Sequence, residues 1–350
     1  MRFLLSIFML LSSYYAWAGN AQVVPGREFK FPQDHNLHPE FQSEWWYITT
    51  TLTGEDGKDY GVQFTLFANT IQIDGKHQRI YFAHAALSSE NEFYHGERFA
   101  RANMKHAGIS TKPWQAFIDH WSFTGTGSNS DSQPLPGLLS VQQPNFGYEL
   151  KLSNADYFLQ GDKGFSAKSA DGKKASYYYN APFIKASGTI RFKDKTIKVT
   201  GDAWLDREWS SGMFNAKLVE NKNNSSSNAS ITDNIGWDWL ALRLSKTERL
   251  MVYKVNYPKS THLTGVIMNI DGSQIKLTNN QVYLQPTKYK TFAGKDYPIA
   301  WQLDIPSQNI KLNINPLNEN QYLNNTIPYW EGAMNFTGTH QGKGYLELFY

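Results

Sequence analysis

The sequence predicts an all-β protein of two antiparallel domains in tandem, and three observations carry that expectation. The first is an internal echo. Gly201-Asp202-Ala203-Trp204-Leu205-Asp206 returns near the C-terminus as Gly342-Lys343-Gly344-Tyr345-Leu346-Glu347: glycine, two residues, a ring, leucine, a carboxylate. Upstream, Gly188 to Phe192 is matched by Gly332 to Phe336, and the opening Glu44-Trp45-Trp46-Tyr47 with Leu52 is matched by Gly236-Trp237-Asp238-Trp239 with Leu244. Segments that begin alike and end alike point to a duplicated unit. The second observation is composition: 11 Trp, 20 Tyr and 21 Phe in 350 residues, a ring load that favours strands. The third is punctuation. Asp-Gly pairs, a strong hairpin signal, stand at Asp56-Gly57, Asp74-Gly75, Asp171-Gly172 and Asp271-Gly272.

Taken in order, the elements begin with a secretory leader over residues 1–18: Arg2 as positive flank, an apolar run from Phe3 to Leu11, and Ala16-Trp17-Ala18 as cleavage site. That run is far shorter than the ~20 residues that span a bilayer, and no later one reaches that length. The protein is therefore expected to be exported, periplasmic or secreted, with no integral membrane segment. The first domain is expected over 27–212. Its strands include Tyr47 to Leu52, the stretch from Tyr60 to Phe67 with Val62, Phe64 and Leu66 on one face, and Thr189 to Val199. Only Glu92 to His106 could carry a helix, weakened by Gly96. Gly125 to Gly137, rich in Gly, Ser and Pro, reads as a long surface loop. Residues 213–235, Asn/Ser-rich, read as the linker where a duplication would place its joint. The second domain follows over 236–350. Many short strands of this kind build sandwiches or barrels.

Charge and motif content exclude several classes of function. The formal charge is only +3 with no dense basic run, so a nucleic-acid partner has no footprint. There is no cysteine, which removes disulfides, thiol nucleophiles and lipidated anchors. The nine histidines show no metal-binding spacing, and neither a Gly-x-Ser-x-Gly elbow nor a phosphate-cradling Gly-rich loop occurs. Cofactor-free acid–base chemistry in an aromatic pocket remains, or binding alone.

The sequence His38-Pro39-Glu40-Phe41-Gln42-Ser43-Glu44-Trp45-Trp46-Tyr47 resembles the opening of the carotenoid 1,2-hydratase (hydroxyneurosporene synthase)/AttH-like family. Gly201 to Trp209 resembles the end of its first domain. Gly236 to Trp239, Tyr297 to Trp301, Tyr329 to Gly332 and Gly342 to Leu348 resemble landmarks of its second. The resemblance implies two lipocalin-like (calycin) antiparallel β-barrels, and a hydratase-type enzyme, a hydrolase of a lipid-like ester or a non-catalytic carrier. The expected partner is a hydrophobic small molecule, isoprenoid or lipid-like, with peripheral contact to membrane-derived lipids and no cofactor.

Alternation along the Gly201 motif places Asp202, Trp204, Asp206 and Glu208 on one face and Ala203, Leu205, Arg207 and Trp209 on the other. The acid face looks either to water or into a barrel lumen. By resemblance Asp206 is the proton donor, although the hydratases read Asp-His-Asn where this chain reads Asp206-Arg207-Glu208. Arg207 is equally suited to an ion-pair network that locks the fold. Tyr177 and Tyr179, near positions that supply a polar group and an aromatic wall in the family, are candidates for orienting water and substrate. His84, on one face with Phe82 and Ala86, is a candidate partner for a raised-pKa carboxyl. The expected catalytic set is thus Asp206, Tyr177, His84 and Glu208, with Trp46, Trp204, Tyr179 and Glu44 at the substrate.

Overall fold

The computed structural model describes residues 21–73, 76–102, 104–128, 132–212 and 235–350. The leader, the core of the Asn/Ser-rich joint and the Asp74-Gly75 pair lie outside the described residues.

The first half contains β1 (Ser43–Gly54), β2 (Asp59–Ile73), β3 (Lys76–Ser89), β4 (Phe93–Arg101), β5 (Ala107–Thr111), β6 (Trp114–Ile118) and β7 (Trp121–Gly125). It continues with β8 (Gly137–Gln142), β9 (Phe146–Leu152), β10 (Phe158–Leu159), β11 (Phe165–Ala167), β12 (Ala175–Phe192) and β13 (Lys195–Ser210). The second half contains β14 (Gly236–Arg243), β15 (Glu248–Tyr257), β16 (Ser260–Asn269), β17 (Gln274–Leu277) and β18 (Tyr283–Phe292). It closes with β19 (Lys295–Ile305), β20 (Ile310–Pro316), β21 (Tyr322–Leu323), β22 (Tyr329–Gly338) and β23 (Gly342–Phe349). The all-β expectation holds, and no described helix is long and apolar enough to cross a membrane.

The first sheet runs β4-β3-β2-β1-β13-β12-β9-β8-β7-β6-β5, and the second runs β17-β16-β15-β14-β23-β22-β20-β19-β18. Both are antiparallel, and each rolls around its own core, giving two lipocalin-like barrels. In the first, Trp114, Ile118 and Trp121 near one end of the sheet share a core with Val62, Phe64 and Leu87 near the other. In the second, Leu240, Leu346 and Trp330 pack with Leu303, Ile314 and Leu277.

Register turns the sequence echo into structure. β1 pairs with β13, and β14 with β23, in equivalent alignment: Tyr47 faces Asp206 as Trp239 faces Glu347. The repeated glycine has one physical role in both halves. A Cβ on Gly201 would lie 2.2 Å from the Thr51 carbonyl oxygen, and one on Gly342 would lie 2.5 Å from that of Arg243. The upstream echo is corrected. Ala186 pairs with Gly201 as Phe336 pairs with Gly342, so Gly188 corresponds to Gly338 rather than to Gly332. A bulge between Ala181 and Ile184 inserts the residue that shifts the alignment beyond it.

The stretch Glu92 to His106, expected as a candidate helix, carries β4. It pairs with β3 along Phe93 to Arg101, while His95 and Glu97 bond Asn325 and Thr326 of the second half. Long-range pairing overrides the weak local helical signal.

Candidate active site between the two barrels

Alternation decides what each face of β1 and β13 touches. Trp46, Ile48, Ala203 and Leu205 point into the first barrel. Tyr47 and Trp204 point out of it and meet Trp239, Met251 and Tyr345 of the second barrel in a shared apolar cluster. The acid face of β13 thus looks away from the barrel lumen and into the contact between barrels. There a cavity of about 1160 Å³ is walled by both halves. It exceeds the ~300–1,000 Å³ usual for small-molecule sites. Trp45, Phe67, Phe82 and Tyr178 line it from the first half, and Trp237, Trp239, Tyr253 and Tyr329 from the second.

Asp206, Glu208 and Glu347 also line this cavity. Asp206 is 3% exposed. Tyr178 donates a hydrogen bond to its Oδ1 at 2.5 Å, and Oδ2 has no hydrogen-bond partner of good geometry. Burial raises its pKa to about 8; hydrogen bonding from Tyr178 and from the neighbouring Trp204 indole opposes the shift, and the charges of Glu208 and Glu347 add to it. Glu208 pairs with Lys168 Nζ at 2.8 Å, and that ammonium lies over the rings of Tyr253 and Tyr178. One lysine therefore supports one carboxylate, whose charge discourages ionisation of the other two.

Across the cavity, Trp237 Nε1 donates to Glu347 Oε1 at 2.7 Å. Burial raises the Glu347 pKa to about 7, with Trp237 opposing and Glu208 reinforcing. Beside it, Tyr47 donates to Glu331 Oε1 at 2.5 Å, and Tyr329 bonds His84 Nδ1 at 2.9 Å. Burial and the charge of Glu347 hold Glu331 well above the usual carboxylate range. His84 lines the cavity with Phe67 and Phe82, and burial lowers its pKa to about 3, so its ring is neutral. Among the described residues no group of three His, Cys, Asp or Glu is placed to hold a metal ion.

The structure brings Asp206, Glu208 and His84 to one cavity, with Trp204 one layer behind, ring to ring with Trp239 at 6.1 Å. It places the other expected residues elsewhere. Trp46 points into the first barrel, 3.9 Å beneath the Arg207 guanidinium. Tyr177 and Tyr179 lie on the face of β12 opposite Tyr178, packed with Trp209 and Phe29. There Tyr177 bonds the Val24 backbone, and Tyr179 bonds His35 Nδ1 at 2.6 Å. Glu44 accepts from Arg207 at 2.5 Å and from Arg79 at 3.1 Å, fastening the N-terminal segment over the barrel end. Burial would raise the Glu44 pKa, yet Arg207, His38 and Arg79 hold it down to about 2. The strand period explains the misplacement: residues one apart face opposite sides, and the tyrosine at the site is the middle one.

Sequence reasoning missed Tyr178, Tyr47, Glu347 and Tyr329. The echo held the signal, because Asp206 and Glu347 are the same position of the two copies.

An AttH-like family profile matches residues 22–349. Among solved structures, the chain is similar to a protein from Nitrosomonas europaea assigned as AttH, at 30% identity and TM-score 0.77, covering 94% of this chain and 99% of that one. It is also similar in fold to kievitone hydratase from Nectria haematococca, at 14% identity and TM-score 0.62, covering 96% of this chain and 98% of that one. No curated protein sequence matches the chain. With a profile match spanning both barrels, the chain belongs to the AttH-like family.

Proposed function

We propose that this protein is an exported, cofactor-independent, hydratase-type enzyme. It adds water to an isolated double bond of a hydrophobic isoprenoid or lipid-like molecule held between the barrels. The observation that carries the reading is Asp206: a buried carboxyl whose pKa is raised to about 8, with the Tyr178 phenol on one oxygen and no donor of good geometry on the other, in the wall of a large ring-lined cavity. A protonated acid in that setting is suited to protonating a carbon–carbon double bond, which a solvated carboxylate cannot do. Tyr178 remains hydrogen-bonded to the carboxylate left behind. The π faces of Tyr253, Trp239 and Phe67 favour the carbocation, which is most accessible when tertiary. Likeness to a hydratase supports the reading at the level of fold.

The test uses trisubstituted alkenes, prenylbenzene and farnesol, incubated with the purified protein in ¹⁸O-labelled water. The proposal expects a tertiary alcohol carrying the label, formed by the wild type and not by Asp206→Asn. Tight binding of both alkenes without any alcohol would instead identify a carrier.

A further inference from the structure

The acid position of the duplicated motif is occupied in both halves, and both copies open onto one cavity. Asp206 sits opposite Tyr47 in the β1–β13 ladder, and Glu347 sits opposite Trp239 in the β14–β23 ladder. Their surroundings differ. Asp206 has a phenol donating to one oxygen and nothing of good geometry on the other. Glu347 has an indole N–H on Oε1 and, directly across the ladder, a second carboxyl, Glu331. We propose that Glu347 is the base that takes a proton from the attacking water, so that duplication supplies acid and base from one ancestral position. The proposal rests on the hydration reading above.

The neighbours favour this division. Glu331 is 1% exposed and accepts from Tyr47, and burial together with the charge of Glu347 raises its pKa well above the usual carboxylate range, whereas Glu347, with the Trp237 indole N–H on Oε1, is raised only to about 7. Glu331 is a positioning residue that fixes the Tyr47 hydroxyl beside Glu347. At neutral pH Asp206 is mostly protonated and Glu347 is divided between its two states, the combination that hydration requires.

The reaction balances without another reactant. The alkene π pair takes the proton of Asp206, forming a C–H bond and a cation. A water lone pair forms the C–O bond. One O–H bond of that water breaks, its proton passing to Glu347 and its electron pair remaining on the new hydroxyl. Asp206 ends ionised and Glu347 protonated, and proton transfer through solvent restores both.

Acid and base functions separate when the reaction runs in D₂O with prenylbenzene and farnesol, because protonation followed by proton loss back to Asp206 deuterates the alkene without adding water. The wild type is expected to give deuterated alkene and alcohol, and Asp206→Asn neither. Glu347→Gln is expected to retain alkene deuteration while alcohol formation falls about 100-fold or more, within the usual range for a general base. Glu347→Asp, which keeps a carboxyl, should recover part of the hydration and serves if the glutamine variant does not fold. A Glu347→Gln protein that hydrates at the wild-type rate overturns the base assignment and leaves Asp206 as the acid. A folded Glu347→Gln protein that loses deuteration and hydration equally also overturns it. A wild type that neither deuterates nor hydrates these alkenes removes the hydration reading itself.

Discussion

On one face of β13, Arg207 lies fully buried between the Glu44 carboxylate at 2.5 Å and the Trp46 ring, with the Asn36 carbonyl and His38 completing its contacts. On the other face, one residue away, Asp206 is as deeply buried but has only a phenol on one oxygen and an indole nearby. The same strand thus holds a compensated charge and an uncompensated acid. Glu44 is held ionised down to about pH 2, while Asp206 stays protonated to about pH 8. Compensation, rather than burial, separates a group that fastens the fold from one free to do chemistry.

The largest expected effect lies on the compensated face. Arg207→Met removes the shortest of the Glu44 ion pairs, leaving Arg79 and His38, and should cost about 3 kcal/mol of stability, the low end for breaking a buried pair, read by denaturant unfolding. A loss below about 1 kcal/mol would mean that the pair does not fasten the N-terminal segment. On the other face, Asp206→Asn keeps shape and removes the acid. Hydration should fall about 10²–10⁴-fold with the neutral-pH melting temperature preserved or raised.

The two faces should also carry opposite pH signatures. The Glu44 pKa is depressed on folding, so its contribution is present above its unfolded pKa of 4.5 and is lost as pH falls towards about 2. Asp206 is raised, so its contribution is present below its unfolded pKa of 3.8 and is lost as pH rises through about 8. Each slope is on the order of 1.4 kcal/mol per pH unit inside its window. Melting curves from pH 2 to pH 9 should show Glu44→Gln flattening the profile between about pH 2 and 4.5 and Asp206→Asn flattening it between about pH 3.8 and 8. A single variant flattening both windows would break the comparison. The smallest effect is expected for Tyr178→Phe. It removes a hydrogen bond that favours the ionised form, so the alkaline limb of the pH–rate profile should move upward, by about one unit at most.

Much of this contrast was legible in the residues. Alternation put Asp206 and Glu208 opposite Arg207, and the repeated motif located the strands that carry them. What alternation cannot say is which face lies inside a barrel when both are buried: Leu205 and Trp204 are equally apolar, and only the docking of the second barrel decides. The same ambiguity hid Tyr178 between Tyr177 and Tyr179. Glu347 was visible as the partner of Asp206 in the echo, but only the packing of the halves shows that both open onto one cavity.

The central claim, that Asp206 is a protonated acid at neutral pH, is tested most directly by ¹³C NMR titration of aspartate carboxyl carbons, with Asp206→Asn supplying the assignment. A protonated Asp206 gives a resonance at the protonated shift at pH 7 that titrates near pH 8. A resonance already at the carboxylate shift at pH 7, titrating near the ordinary ~4, would contradict it.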